Sequence, residues 1–247
     1  MADLTWQGME AERIVLSKRN YRKVRPTLSR IHTIVTDRLR ELTIPELEPF
    51  IRYELPNLAL PQWNALYSNL YRNTANTTAS ATFARLSGQK EFGNFMTPIQ
   101  AYTQNLDKRI ALVNNTTVNK YLKELGLAVE ITNDIRQIAQ ILDTTVNGAY
   151  NRLRAMQISR TETTTAHNLG RQAGALALNN LTIIKTWVTM QDATVRDAHA
   201  IANGQQKLIT QPFVVDGETM MFPCDFTGTA TAHNLVNCRC GEAYTIT

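Results

Sequence analysis

The chain has 247 residues, 43% hydrophobic and 19% charged, with a formal net charge of +5, enough to bury one sizeable core or two small ones. Eleven glycines and eight prolines are too few for a collagen-like or low-complexity chain, and no apolar run approaches the roughly 18 residues a membrane helix needs. Three cysteines, all near the C-terminal end, exclude a disulfide framework for the whole fold.

The chain opens MADLTWQGMEAER, with acidic residues where an export signal would carry positive charge, so an intracellular protein is expected. From Arg13 to Arg30 the chain carries Arg13, Lys18, Arg19, Arg22, Lys23, Arg25 and Arg30 without an acidic residue among them. Such a cluster suits a phosphate backbone, an acidic partner surface or simply a solvated helix face. Apolar positions Tyr21, Val24, Leu28, Ile31, Val35, Leu39 and Leu42 recur by threes and fours, which predicts an amphipathic helix. Pro26 should divide it into a helix ending near Val24 and another starting at Pro26. Pro45, Pro49, Pro56 and Pro61 then predict an irregular connection from Ile44 to Pro61, the best candidate for a hinge.

A helix is expected over Gln62 to Gln89, ended at Ser87-Gly88, and its small-residue tract from Asn73 to Ala84 would let a neighbouring helix approach closely. Another is expected from Pro98 to Leu125, stopped at Gly126. Ile131, Ile135, Ile138, Leu142, Val146, Ala149, Leu153 and Met156 then predict one long helix, which Asn147-Gly148 could interrupt. Thr161 to Asn180 follows as a tightly packed helix in which Ala166, Gly170, Ala173, Gly174 and Ala177 supply the small face.

At Leu181 the pattern changes. Thr182 to Thr189, Phe213 to Val215 and Ala243 to Ile246 read as strands, with turn signals at Asn203-Gly204 and Asp216-Gly217. The expected fold class is therefore α+β: a mainly helical N-terminal body followed by a small C-terminal α+β module with a few short strands. A helical, basic region over 1–130 and a second domain over 131–247 are the expected division.

Asp192 to Gly204 reads as one short helix with Asp192 at its N-cap, which would put Asp192, Arg196 and His199 on one face. Cys238 and Cys240 are two apart, so in an extended segment both sulfurs face the same side. With His199, His233 and Cys224 as further donors, the pair suits a zinc site, buried free thiols or a disulfide. Glu162 beside Arg160 is a candidate carboxylate for acid–base work or a helix cap, and His32 and His167 have no partner pattern. There is no P-loop, GxGxxG, HExxH or GxSxG.

Arg160-Thr161-Glu162, then Trp187, Thr189, Asp192, Arg196, His199 and Gly204, then Pro223-Cys224-Asp225 and Asn237-Cys238-Arg239-Cys240, form a distinctive ordered series. It resembles the phage Mu F-like minor head protein family, also called the phage head morphogenesis family, over roughly Ile131 to Cys240. The motif residues are Arg160, Glu162, Trp187, Asp192, Arg196, His199, Asn237, Cys238 and Cys240; Cys224 stands where the usual pattern has a small residue such as Gly. The resemblance implies that 131–247 is a head morphogenesis domain and that the protein is a non-enzymatic minor capsid protein of a tailed bacteriophage. It further implies a virion location, inside the capsid at the portal vertex, reached from the host cytoplasm during assembly. Its partners would be the portal protein, scaffold or major capsid protein and packaged double-stranded DNA, with no membrane. On that reading Arg13, Lys18, Arg19, Arg22, Lys23 and Arg25 would contact DNA or a partner. The alternative from another class is a zinc-dependent nuclease with His199, Cys224, Cys238 and Cys240 as ligands and Asp192 or Glu162 as general base.

Overall fold

The computed structural model describes residues 6–88 and 95–247. The first five residues, on which the export reading partly rests, and Gln89, the expected end of a helix, lie outside these. Nine α-helices among the described residues precede or flank five short strands, the expected helical body with a small α+β module.

Helix α1 runs unbroken from Trp6 to Leu39, with Pro26 inside it. Two helices were expected there. A proline in a helix interior costs about 3 kcal/mol, but Val24, Leu28, Ile31 and Val35 are all buried on one face, and each contributes about 1.5–3 kcal/mol. Packing wins, and the helix continues through its missing hydrogen bond.

The proline-rich segment is also helical rather than an irregular hinge. Helix α2 spans Ile44–Pro49, with Pro45 in its first turn where a missing donor costs nothing and the Glu46 carboxylate accepting from the Thr43 backbone N–H at 2.7 Å. A π-helical turn, Phe50–Glu54, leads into α3, Leu55–Ser87. Buried Phe50, Ile51, Leu55, Ala59 and Trp63 hold this region against its prolines.

Helix α4 is Met96–Thr103 and α5 is Leu106–Ile131. The break falls at residues 104–105 and not at Gly126, which sits inside α5 between buried Leu125 and Ala128. The long helix expected from Ile131 is likewise three pieces: α6, Ile135–Leu142, a π-helical turn, Asp143–Gly148, and α7, Ala149–Leu176. Asp134 caps α6 by accepting from the Arg136 N–H at 2.8 Å. Ile131 and Leu153, two positions of that apolar period, are 73% and 61% exposed. The apolar spacing was real, but it did not belong to a single buried face.

The chain divides into two compact units that are interleaved along the sequence. One comprises Met1–Asn20, Asn69–Asn105 and Ser159–Thr247, the other Tyr21–Ser68 and Leu106–Ile158. These are not the sequential segments 1–130 and 131–247 expected above, because α1, α3 and α7 each contribute residues to both units.

In the first unit α3 and α7 meet as their small residues predict. A Cβ on Gly170 would lie 2.4 Å from the Ala75 carbonyl oxygen, and one on Gly174 2.4 Å from that of Ala79. Only glycine permits this approach. The strands β1, Ile183–Val188, β2, Gln206–Leu208, and β5, Gly241–Ile246, form an antiparallel sheet in the order β2-β1-β5. Strand β1 pairs with β5 from Ile183 opposite Ile246 to Val188 opposite Gly241. Strands β3, Phe213–Val215, and β4, Glu218–Met220, make a hairpin. Asp216 and Gly217 both take positive φ in its two-residue turn, the type I′ geometry that an Asp-Gly pair favours. Two short helices complete the module: α8, Asp197–Ala202, and α9, Ala232–Leu235.

Candidate functional site

The C-terminal module buries Trp187, Phe213, Val215, Met220 and Leu235 together with Cys224, Cys238 and Cys240. His199 joins them from α8. Its Nδ1 lies 3.3 Å from the Cys240 sulfur and 3.6 Å from that of Cys238. The ligand atoms of His199, Cys238 and Cys240 all fall within 4.8 Å of one another, and all three residues are buried. The structure thus brings His199 to the Cys238–Cys240 pair.

The ring is fixed on its other side. His199 Nε2 lies 3.0 Å from Asn234 Oδ1, and since a carbonyl oxygen only accepts, Nε2 carries the hydrogen and donates. In the neutral ring Nδ1 is then the lone pair that faces the sulfurs. Asn234 is itself held, donating to Glu218 Oε2 at 2.7 Å. Trp187 closes a third side, its ring edge-on to His199 at 5.7 Å and 87°.

Cys224 comes to the edge of the cluster from the Pro223-Cys224-Asp225 turn, its thiol directed at the carbonyl oxygens of Leu235, at 3.6 Å, and Cys238, at 3.9 Å. Its backbone φ is +70°, a region L side chains avoid and glycine enters freely. That explains the small residue expected at this position. Hydrogen bonds from Cys224 and Cys240 hold the Cys238 thiol well below the usual range, against burial, with His199 adding to them. Cys240 is pushed well above it by the Cys238 hydrogen bond and by burial. Burial alone would lower His199, but its contacts with Cys238 and Asn234 outweigh that and raise it.

The helix expected from Asp192 begins only at Asp197, with Arg196 at its N-cap. Asp192, Arg196 and His199 therefore share no helix face. Asp192 instead closes a turn by accepting from the Thr194 N–H at 3.0 Å, and takes Arg239 in a two-pronged ion pair at 2.8 and 2.6 Å. The Arg239 guanidinium, then Thr194, hold its carboxyl far below the usual carboxylate range. Arg196 donates to the Val236 carbonyl.

The three residues of Arg160-Thr161-Glu162 separate. Arg160 is exposed. Thr161 Oγ1 accepts from the Asn237 N–H at 3.0 Å, tying α7 to the thiol-bearing loop. Glu162 is buried and accepts from the Tyr71 hydroxyl at 2.8 Å. Further along α7, Thr165 donates to the Cys224 carbonyl at 3.2 Å, and Asn168 Nδ2 donates to the carbonyls of Pro223, at 2.9 Å, and Cys240, at 3.0 Å. Thr161, Thr165 and Asn168, spaced four and three, thus line one face of α7 and staple both loops that carry the sulfurs. Sequence reasoning missed Thr165, Asn168 and Asn234; the polar residues at helical spacing along TETTTAHN were the available signal.

Arg160, Arg196 and Asn237 line a groove of about 680 Å³ together with Glu10, Arg13, Ser17, Lys18 and Arg239. Five of its walls are cationic. Arg13 is held by Glu10, Nε to Oε2 at 2.6 Å, and Arg239 by Asp192. Lys18 and Arg160 are exposed and enter no ion pair among the described residues. Of the N-terminal cations expected to bind DNA or a partner, Arg13 and Lys18 reach the groove. Arg19 is exposed in the same unit, whereas Arg22, Lys23 and Arg25 belong to the other one.

Fold and site define a mainly helical protein with a buried thiol–imidazole cluster in its small C-terminal module and a basic groove that this module forms together with α1 and α7. The family described as phage Mu protein F like protein matches residues 99–242, and the chain belongs to that family of phage head morphogenesis proteins. No curated protein and no solved structure matches the chain. No helix among the described residues is long and apolar enough to cross a membrane.

Proposed function

We propose that the protein is a minor capsid protein of a tailed bacteriophage, bound at the portal vertex inside the head, where it supports head assembly and DNA packaging or delivery. Family membership supplies the class. One observation carries the rest: motif residues from α7, the N-cap of α8 and the thiol loop, and cations from the start of α1, meet in a single groove. A groove with five cationic walls recognises a surface rich in carboxylates or phosphates, such as an acidic portal face or packaged DNA. Scaffold or the major capsid protein are further candidates for the same face.

The thiol–imidazole cluster favours this non-enzymatic reading over a nuclease. A catalytic metal keeps an open position for water and substrate, whereas this cluster is buried and the void beside it is about 20 Å³, room for no substrate. The carboxylates proposed as a base are also engaged, Glu162 by Tyr71 and Asp192 by Arg239.

The test is deletion of the gene from its phage, with heads counted by electron microscopy and the virion probed for the protein. DNA-filled heads should be lost, and the protein should co-purify with the portal. Normal numbers of filled, infectious heads without the gene would refute the assignment.

A further inference from the structure

We propose that His199, Cys238 and Cys240, with Cys224 as the fourth ligand, form a closed structural zinc site that locks the C-terminal module. The argument begins with distances. In a tetrahedral zinc site with Zn–N near 2.05 Å and Zn–S near 2.3 Å, neighbouring nitrogen and sulfur ligands stand about 3.6 Å apart. Here Nδ1 lies 3.3 and 3.6 Å from the two sulfurs. A cation enters such an arrangement with little movement of the side chains.

The surroundings are those of a ligand set rather than of thiols used as small hydrophobes. Metal-bound histidines almost always donate their second ring hydrogen to a fixed acceptor, and Asn234 Oδ1, anchored in turn by Glu218, is that acceptor. The Cys240 N–H points at the Cys238 sulfur at 3.4 Å, a donor suited to a thiolate. Nitrogen and sulfur ligands in a small closed site select zinc over magnesium or calcium.

Cys224 would close the set, since a structural zinc site takes all four of its ligands from the protein. Its thiol donates to the Leu235 carbonyl oxygen at 3.6 Å and faces the Cys238 one at 3.9 Å, outside the 4.8 Å group of the other three ligand atoms, so it would turn inward to complete the set. It also sits at φ +70°, a conformation that costs a non-glycine residue of order 1–3 kcal/mol. Metal ligation offsets that cost, and a spectator thiol would not. Zinc would displace the thiol protons to solvent, pin the loops at 224 and 238–240 to α8, and so fix Arg239 and Asn237 on the groove side of the same loop. The inference stands whether or not the groove binds a portal.

The experiment is elemental analysis of the purified, reduced full-length chain, followed by zinc titration of chelator-stripped protein against a chromophoric competitor. About one zinc per chain is expected, and cobalt(II) in its place should give thiolate charge-transfer bands and tetrahedral visible bands. Asn234→Ala, which removes no ligand, should weaken zinc binding about 10–100-fold. Cys224→Gly relieves the strained backbone and so folds, yet it should also bind zinc more weakly. A chain that carries no zinc as purified and takes up none on titration overturns the site. Unchanged affinity in Cys224→Gly overturns the fourth ligand.

Discussion

The two compact units are built on different interiors. The unit of Tyr21–Ser68 and Leu106–Ile158 is held by an apolar core, including Leu28, Ile31, Leu39, Trp63 and Leu142, with a few buried polar groups such as His32 and Asn114. The unit containing the C-terminal module buries Thr161, Glu162, Thr163, Thr165, His167, Asn168, Arg171, Lys185, His199, Asp225 and Glu242. An apolar core tolerates volume-conserving exchange, whereas a buried polar group is held to particular partners, since losing one leaves the other unsatisfied. The groove and the thiol–imidazole cluster lie in the polar unit, where specification is tightest.

Asn168→Leu should break the polar unit most severely. It keeps the side-chain size but strips the carbonyls of Pro223 and Cys240 of a buried donor, at about 1–3 kcal/mol each. Urea denaturation should show a loss of about 4 kcal/mol, and a change under 1 kcal/mol would mean that water replaces the amide.

A matched pair of glycine substitutions sharpens the contrast. Gly170→Ala drives a Cβ into the Ala75 carbonyl and should cost about 3 kcal/mol, towards the upper end of overpacking. Gly126→Ala in α5 meets nothing within 4 Å, so its gain in helix propensity should stabilise by about 0.5–1 kcal/mol. Thermal midpoints that move in the same direction would contradict the packing described.

Those glycines also show what the sequence made legible. The small residues at 73–84 and 166–177 point to close helix packing, and the Asp-Gly signal at 216 locates the hairpin turn. The helix ends were not legible where tertiary burial overrode local chemistry: Pro26 and Gly126 are strong local stops that buried neighbours outvote. At the site, Cys238, Cys240 and His199 were readable as metal-type residues. Their stapling by Thr165, Asn168 and Asn234 was not, because the spacing along TETTTAHN marks a polar helix face but not the partners, 35 to 72 residues away, that these hydrogen bonds reach. Strands β2 and β4, three residues each, escaped for the same reason: their pairing is set by partners distant in sequence or by a turn.

The smallest expected effect lies in the apolar unit. Burial holds His32 below its ordinary value of 6.5, against the opposing pull of Asp143. The unfolded chain therefore binds more protons below pH 6.5, and stability is fully present above that value and lost as pH falls towards the lower folded value. His167, also lowered by burial, acts in the same sense. His32→Gln should flatten the decline of the thermal midpoint below pH 6.5 relative to the parent; an unchanged slope would remove His32 from the account.

Binding of the full-length chain to its portal protein, with and without the paired exchange of Lys18→Glu and Arg160→Glu, tests the basic groove most directly. Both side chains are exposed at the groove, so the variant should keep the parent thermal midpoint while affinity falls at least about tenfold, or 1.4 kcal/mol. Affinity equal to the parent's, or no portal binding by the parent itself, would contradict the groove as the docking face.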